Sequence, residues 1–310
     1  MPVCRGSKKR GNMHSASQLR RTLNGPGLTI APGAMDCLSA AAVEQNGFSA
    51  IYMTGMGTSA SRLGLPDYGL ATMTEMVTNA SAMASTVNIP IIADADTGYG
   101  NELNMTRTVM EFERSGVAGI HIEDQVFPKK CGHLDRKQVI PRENYIRKIA
   151  AAVSARRHPD FLIIARTDAN AVVGFEEAIA RANAALDVGA DLALVEAPES
   201  VEQLLRVPQL VHGPCVLNIL YGGRSPLLSF AQIEEAGYKL AFLSDVLLGS
   251  ALAAYDSVLR TVHGASHSTS ALNLPHIVSP REVFRRLGSE RWDELRGVED
   301  AGKTPLRRGA

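Results

Sequence analysis

Eight short apolar runs recur along the chain, separated by longer stretches of helical period. The runs lie at residues 28–33, 49–55, 89–96, 118–124, 161–168, 191–198, 214–219 and 239–245. Between them, segments such as 102–116 and 174–190 place apolar residues every three or four positions, and a glycine follows the last helical turn. Near-continuous apolar strands that alternate with amphipathic helices indicate parallel strands buried on both faces. Eight such units predict a (β/α)8 TIM-type barrel, an α/β fold of typically about 250 residues.

The alternative architecture is a doubly wound open sheet, which uses the same alternation of strands and helices. Dinucleotide-binding sheets of that kind carry a GxGxxG motif after the first strand. No such motif follows residues 28–33, so the closed barrel is the favoured prediction. We expect it to occupy residues 17–265, after a basic, disordered extension at 1–16. A C-terminal helical segment with a loose tail should follow at 266–310, with one helix-like stretch within 270–300.

Charge and cysteine usage argue against several classes of protein. The 310 residues include 32 basic and 32 acidic side chains, a balance that gives no reason to expect nucleic acid or a membrane surface as a partner. No apolar run approaches the roughly 18 residues of a membrane span. Cys4, Cys37, Cys131 and Cys215 form no CxxC pair, which disfavours a zinc site or disulfides and fits a reducing compartment. The N-terminus lacks the apolar core of a secretory signal, so we expect a cytoplasmic protein, with an organellar transit segment as the alternative.

Acidic residues stand where the third and fourth apolar runs end. Asp94 and Asp96 are two residues apart, so on an extended chain their side chains leave the same face. Glu123 ends the next run and can converge on them, because the carboxyl ends of barrel strands meet at one rim. Three carboxylates without histidine or cysteine suit a hard cation, Mg²⁺ first and Mn²⁺ as a substitute. The alternative is that they cap helix N-termini or pair with Arg166.

Arg166 and Cys131 are the other candidates for chemistry. Arg166 ends the fifth run, where its guanidinium can hold a substrate carboxylate, or else pair with Glu123 or Glu196. Cys131 lies in the stretch KKCGH at 129–133. The neighbouring cations predict a thiol pKa below the usual value of about 8.5. Such a thiol can protonate a carbanion-like intermediate, or it can be an inert loop cysteine.

Four motifs in order along the chain, DADTGYGN, HIEDQVFPKKCGH, IIARTDA and VEAP, resemble the isocitrate lyase/phosphoenolpyruvate mutase superfamily. Within it, KKCGH marks the carbon–carbon lyase branch, and the chain looks most like the short members that cleave 2-methylisocitrate or 2,3-dimethylmalate. The resemblance spans about residues 17 to 265. It implies a (β/α)8 barrel whose last helix swaps between subunits of a homotetramer, a dimer of dimers.

The resemblance also implies roles for individual residues. Magnesium would bind at Asp94 and Asp96, with Glu123 and Asp67 around it. Cys131 would be the general acid on a mobile loop, and Tyr52 the suspected base. Groups that contact the substrate or its metal network would be Gly132, His133, Arg166, Glu196, Asn218, Ser225 and the turn Thr54-Gly55-Met56, which would bind a carboxylate through backbone N–H groups.

The implied reaction is cleavage of a 2-hydroxy di- or tricarboxylic acid by a retro-aldol (Claisen-type) step. The products would be a 2-oxo acid, pyruvate or glyoxylate, and a saturated acid. Two alternatives are oxaloacetate decarboxylation or P–C bond chemistry on phosphonopyruvate, and an inactive barrel with a binding or assembly role. The chain departs from the family in NILYGGRSP, where Tyr221 replaces the usual glutamate. We expect Tyr221 and Arg224 to make the pocket more aromatic and more cationic.

Overall fold

The computed structural model describes residues 13–264 and 277–300. Eight parallel strands close into one barrel in the order β1 to β8, so the predicted (β/α)8 fold is confirmed. Each of the eight apolar runs matches one strand, and only the first and last strands extend one residue beyond their runs. The strands are β1 Thr29–Ala34, β2 Ile51–Met53, β3 Ile91–Asp94, β4 Gly119–Glu123, β5 Leu162–Thr167, β6 Leu192–Val195, β7 Cys215–Ile219 and β8 Tyr238–Leu243.

One helix precedes the first strand, and at least one helix follows each strand. They are α1 Met13–Asn24, α2 Cys37–Gln45, α3 Gly55–Thr58, α4 Met73–Thr86, α5 Glu102–Ser115, α6 Arg142–Ala155, α7 Phe175–Asp187, α8 Val201–Leu210, α9 Phe230–Glu235, α10 Val246–Gly264, α11 Pro280–Arg286 and α12 Ser289–Asp300. No helix of the described ranges is long and apolar enough to cross a membrane.

Helix α5 shows how the local sequence sets an element. The side chain of Asn101 accepts a hydrogen bond from the backbone N–H of Leu103, which satisfies one of the free donors at the helix start. Gly116, with φ of 96°, ends the helix in the left-handed region that glycine adopts most easily. Met105 and Phe112 lie on its buried face, seven residues apart, and pack into the core between helices and strands.

Alternate strand residues fill the barrel interior. Tyr52, Ile92, Ile164, Leu194 and Phe242 belong to one inner apolar cluster. The side chains between them face outward and pack against the surrounding helices. Because successive strand residues point to opposite faces, the position two residues further along each strand also faces inward. That rule places the functional side chains described below.

Two differences from the sequence predictions concern the ends of the chain. Helix α1 begins at Met13, so residues 13–16 of the expected extension are helical, and Ala16 is buried in the inner cluster. The single helix expected within 270–300 is wrong: α11 and α12 are separate. Gly288 between them has φ of 78°, a conformation that a continuous helix cannot accommodate. Residues 1–12, 265–276 and 301–310, which include the expected loose tail, lie outside the described residues.

The chain divides into two compact units, residues 1–251 and 252–310. The first contains the barrel, and the second begins inside α10. Helix α10 has no buried residue among its 19. Its exposed apolar side chains include Leu252, Tyr255, Val258, Leu259 and Val262.

Candidate active site

The inward strand positions change from apolar to polar at the carboxyl end of the barrel. The residues concerned are Asp94, Glu123, Arg166, Glu196, Asn218 and Ser244, all buried. Strand register brings them together: Glu123 lies opposite Arg166 in the β4–β5 ladder, and Asp94 lies opposite His121 in β3–β4. The same alternation that fills the barrel with apolar side chains thus builds a polar ring at its mouth.

A pocket opens at this ring. It is lined by Tyr52, Thr54, Met56, Asp67, Asp94, Cys131, Gly132, His133, Arg166, Glu196, Asn218, Leu220 and Ser244. Most residues chosen from the sequence therefore share one cavity. Four do not line it: Gly55, Asp96, Glu123 and Ser225.

Cys131 reaches the pocket on a loop that we call the thiol loop, residues 126–138. Its base is closed by an isolated bridge between Gln125 and Val139. The side chain of Gln125 donates to the carbonyl of Lys130 at 2.7 Å and accepts from its N–H at 3.0 Å. The N–H of Cys131 donates to the carbonyl of Asp67 at 3.1 Å. The loop is therefore fastened at Lys130 and at Cys131 itself.

The predicted low pKa of Cys131 is wrong. Burial raises the thiol pKa above its usual value, and the negative charge of Asp67 adds to that effect. Arg166 and Lys129 act in the opposite direction but do not outweigh burial. The cations next to Cys131 in the sequence do not all surround its sulfur, because Lys129 turns to a pair of carboxylates. The thiol is held protonated.

Lys129 is almost fully buried between two acids. Its Nζ lies 2.5 Å from Oδ1 of Asp67 and 2.9 Å from Oδ1 of Asp96. Burial nevertheless raises the pKa of Asp96 to about 6. Lys129 thus ties the thiol loop to the segments that follow β2 and β3.

Asp94 organises the other side of the pocket. It accepts hydrogen bonds from the N–H of Gly55 at 3.2 Å, the N–H of Asp96 at 2.9 Å and the hydroxyl of Tyr52 at 3.2 Å. Burial alone would raise the Asp94 pKa, but nearby His121, with Lys129 and Arg166 further along the site, holds it well below its usual range. Asp94 is therefore a carboxylate ion facing the cavity.

Tyr52, the suspected base, sits beside this carboxylate. Burial, reinforced by the charge of Asp94, raises the Tyr52 pKa well above 10. Its ring stacks on Phe242 with centroids 4.2 Å apart, and its hydroxyl oxygen lies 2.8 Å from Nε2 of His121. The tyrosinate form is thus disfavoured, so Tyr52 needs a neighbouring proton acceptor if it is to take up a substrate proton.

The buried carboxylates fit a magnesium ion. Oε1 of Glu123 is buried without a hydrogen-bond partner, while Oε2 of Glu123 and Oδ1 of Asp96 are buried beside Arg166 and Lys129 in ion pairs that lack hydrogen-bond geometry. Burial raises the Glu123 pKa well above its usual value, although the positive charges of Arg166 and Lys129 act in the opposite direction. In the described ranges no three His, Cys, Asp or Glu side chains form a metal cage. Magnesium suits such a donor set, since it keeps several waters and binds proteins through one or two carboxylates.

Arg166 is held rigidly at the centre of the ring. Its Nε lies 3.0 Å from Oδ2 of Asp168, and its Nη2 lies 3.2 Å from Oε2 of Glu123. Glu196 lies further away, with 3.7 Å between its Oε2 and Nε of Arg166. Arg166 therefore takes part in the ion pairs foreseen as the alternative, and it also lines the cavity. Its binding of a substrate carboxylate stays a prediction.

Glu196 lies in the pocket wall and contacts two other residues that line the pocket. Its Oε1 accepts from the side-chain amide of Asn218 at 2.9 Å and lies 3.2 Å from Nε2 of His133. The N–H of Arg224 donates to Nδ1 of His133 at 3.0 Å. Because Nδ1 accepts that bond, a neutral His133 carries its proton on Nε2. This proton can be donated to an anionic ligand.

Two expectations for the substrate-binding segments are changed by the structure. In the turn Thr54-Gly55-Met56, the N–H groups of Thr54 and Gly55 already donate to Ala34 and Asp94. Ser225 has a buried hydroxyl without a hydrogen-bond partner but does not line the cavity.

The expected aromatic and cationic pocket wall is wrong. Tyr221 is 86% exposed, and Arg224 extends to Asp135 and Glu199 on the surface. The residues of NILYGGRSP that do line the cavity are Asn218 and Leu220.

Sequence reasoning missed several residues. His121 could have been found, because it stands two positions before Glu123 on the same strand face. Ser244 follows β8 at an inward position and belongs to the same pattern. Lys137, which contacts Asp168 at 2.8 Å, has no signal in the sequence beyond its place in a basic loop.

The fold and the site together define a class. The chain is a (β/α)8 barrel whose mouth combines carboxylates, one arginine and a protonated thiol around a small polar pocket, as in enzymes that act on small anions.

Comparison with known proteins gives the family. Residues 19–263 match the model of the phosphoenolpyruvate phosphomutase family. The chain is 46% identical to 2,3-dimethylmalate lyase of Eubacterium barkeri over 228 residues, 74% of this chain and 79% of that protein. The chain belongs to the phosphoenolpyruvate mutase/isocitrate lyase superfamily, whose members include lyases and mutases.

Two solved structures show how widely reactions vary on this fold. Oxaloacetate acetylhydrolase in complex with 3,3-difluorooxaloacetate superposes with a TM-score of 0.87 at 38% identity, covering 95% of this chain and 99% of that one. Phosphonopyruvate hydrolase in complex with oxalate and Mg²⁺ gives a TM-score of 0.80 at 30% identity, covering 91% and 98%. Family membership alone therefore does not specify the reaction.

Proposed function

We propose that the protein is a magnesium-dependent carbon–carbon lyase. It would cleave a 2-hydroxy diacid or triacid of the 2,3-dimethylmalate or 2-methylisocitrate type to a 2-oxo acid and a saturated acid. The observation that carries the proposal is that a protonated thiol, Cys131, lines the same cavity as Asp94 and Arg166. A lyase of this kind must protonate a carbanion, and a thiol with a raised pKa is a proton donor at neutral pH.

The substrate would be oriented by its carboxylates. Arg166 and the Nε2–H of His133 both face the cavity and can donate to one carboxylate, with the Asn218 side chain nearby. Asp94, with Asp96, Glu123 and Asp67 around it, would hold magnesium, and Mn²⁺ could replace it. When bound, the ion supplies a Lewis acid next to the substrate hydroxyl.

The proton transfers can be assigned to side chains of this chain. The hydroxyl proton would pass to the oxygen of Tyr52 while Tyr52 gives its own proton to Nε2 of His121, 2.8 Å away. The C2–C3 bond breaks, its electron pair goes to the departing enolate, and Cys131 transfers its proton to that carbon. The thiolate then regains a proton from solvent, and His121 releases the proton it took from Tyr52, so that both groups are restored. The closed thiol loop keeps water from the carbanion until that transfer.

The test is a substrate panel. Purified protein with Mg²⁺ is incubated with 2,3-dimethylmalate, 2-methylisocitrate, oxaloacetate or phosphonopyruvate, and release of products is followed by mass spectrometry. We expect a 2-oxo acid and a saturated acid from one of the first two, lost with a chelator and restored by Mg²⁺ or Mn²⁺. Turnover of oxaloacetate or phosphonopyruvate alone would assign a different reaction. No turnover and no Mg²⁺-dependent binding of any diacid would indicate an inactive barrel.

A further inference from the structure

The thiol loop contains a second buried lysine that the proposed chemistry does not use. The side chain of Lys137 is 1% exposed. Its Nζ donates to the carbonyl of Gly132 and to Oδ1 of Asp168 at 2.8 Å. A lysine loses much of its hydration when it is buried, so this arrangement is stable only with both partners in place. Lys137 therefore holds the residue directly after Cys131.

Asp168 is shared between the loop and the barrel. Its Oδ2 accepts from Nε of Arg166 at 3.0 Å, and its Oδ1 accepts from Nη2 of Arg166 at 3.2 Å as well as from Lys137. One carboxylate thus connects the guanidinium in the pocket to the ammonium of the loop. If Lys137 left, Asp168 would lose its hydrogen bond from the loop and keep only Arg166 as a cationic partner.

Gly132, whose carbonyl accepts the hydrogen bond from Lys137, packs tightly against the pocket side chains. A Cβ built on Gly132 would lie 2.3 Å from Nη2 of Arg166 and 2.7 Å from Cγ of Glu196. The backbone at Gly132 therefore lies directly against the pocket side chains. Any lift of the loop at this point would move Cys131, its immediate neighbour, away from the cavity.

We propose that Lys137 is a positioning residue that latches the thiol loop through Asp168, so that the Cys131 thiol is shielded and correctly placed only while this ion pair is intact. The benefit to catalysis rests on the proposed lyase function. The latch itself does not, and it can be measured without any substrate.

The experiment is the alkylation rate of Cys131 by iodoacetamide, followed by mass spectrometry of the peptide that contains it. In Lys137→Met, which removes the charge and both hydrogen bonds, we expect alkylation to be faster by about tenfold or more, because the loop opens more often. Lys137→Arg should restore much of the protection, since it can still reach a carboxylate and a carbonyl. The matched control is Arg136→Met, which removes one positive charge from an exposed neighbour in the same loop and should alkylate at the wild-type rate.

A thermal melt of each variant separates local opening from unfolding. The proposal requires faster alkylation in Lys137→Met at an unchanged melting temperature. Wild-type alkylation rates in a folded Lys137→Met would overturn it. So would equal acceleration by Arg136→Met, which would make the effect one of net charge. If Lys137→Met does not fold, Lys137→Gln gives the same measurement with a neutral side chain that keeps hydrogen-bonding groups.

Turnover distinguishes this proposal from the lyase proposal. If the wild-type enzyme cleaves a substrate of the panel, Lys137→Met should lower kcat more than it raises KM, because the loop matters most while the carbanion is protonated. If the wild-type enzyme cleaves nothing, the lyase proposal fails and the alkylation result still stands for the latch.

Discussion

Protonation states decide what the individual residues can do. Burial keeps the thiol of Cys131 and the phenol of Tyr52 in their protonated forms, whereas the surroundings of Asp94, with His121, Lys129 and Arg166, keep that carboxyl ionised. These states match a proton donor, a proton relay and a ligand for a cation. None of the three follows from residue type alone, because each depends on burial that only the closed fold creates.

Replacing Cys131 by serine tests its role as the acid. The hydroxyl is a far weaker proton donor of similar size, so we expect the fold and magnesium binding to be kept and turnover to fall by a factor on the order of 10² to 10⁴. The measurement is kcat on whichever diacid the panel identifies. Cys37→Ser, which changes a thiol outside the cavity, is the control. Near-normal kcat in Cys131→Ser would remove this thiol from the mechanism.

The raised thiol pKa predicts a direction for pH dependence. Only the thiolate reacts with iodoacetamide, so alkylation of Cys131 should be slow at neutral pH. It should accelerate only at pH values above the ordinary thiol pKa of about 8.5. Proton donation requires the protonated thiol, so turnover should decline over the same alkaline range in which alkylation accelerates. Peptide mass spectrometry gives the rate at each pH. Cys215, whose pKa burial raises to about 12, serves as the internal comparison and should stay less reactive throughout. Fast labelling of Cys131 at pH 7 would contradict the assignment.

At the scale of elements, the sequence predicts the barrel well and the thiol loop poorly. The strands and helices α5 and α7 follow from apolar periodicity, and the ring residues follow from their positions at strand ends. The contacts of Lys129 and Lys137 do not, because both pair with carboxylates that are distant in the chain. The exposure of Tyr221 also could not be predicted from the sequence, since a loop residue has no periodicity to indicate which way it faces.

The close packing of Gly132 gives a prediction for the loop as a unit. In Gly132→Ala the new methyl group would collide with Arg166 and Glu196, so the loop cannot close in its present position. We expect KM to rise and kcat to fall together, with little change in thermal stability, because the strain can be relieved by loop opening. Gly249→Ala, where the added carbon has open space, is the matched control. Unchanged kinetics in Gly132→Ala would show that the loop has room that this structure lacks.

The assembly of the whole molecule is where α10 matters most. Its apolar residues Leu252 and Leu259 are 54% and 64% exposed, an unusual arrangement for a helix rich in apolar residues. We propose that this helix is exchanged between subunits of a homotetramer, as the family resemblance implies, so that a partner covers these side chains.

The predicted oligomer can be tested by placing negative charges on the apolar side of α10. The double substitution Leu252→Glu and Leu259→Glu should convert tetramers to smaller species, since a buried unpaired carboxylate is strongly unfavourable. Light scattering coupled to gel filtration measures the mass. Leu103→Glu, at a side chain 80% exposed on α5, should leave the mass unchanged. A wild-type protein that runs as a monomer would refute the exchange.

The two-residue alternation of the strands also limits how this molecule can diverge. Insertion of a single amino acid inside β3 or β5 would rotate Asp94 or Arg166 away from the mouth and into the helix-facing core. Insertions and deletions are therefore tolerated only in the segments that connect the strands. New substrate preferences in descendants of this chain should accordingly arise in the segments around Leu220 and Cys131, while the spacing within each strand stays fixed.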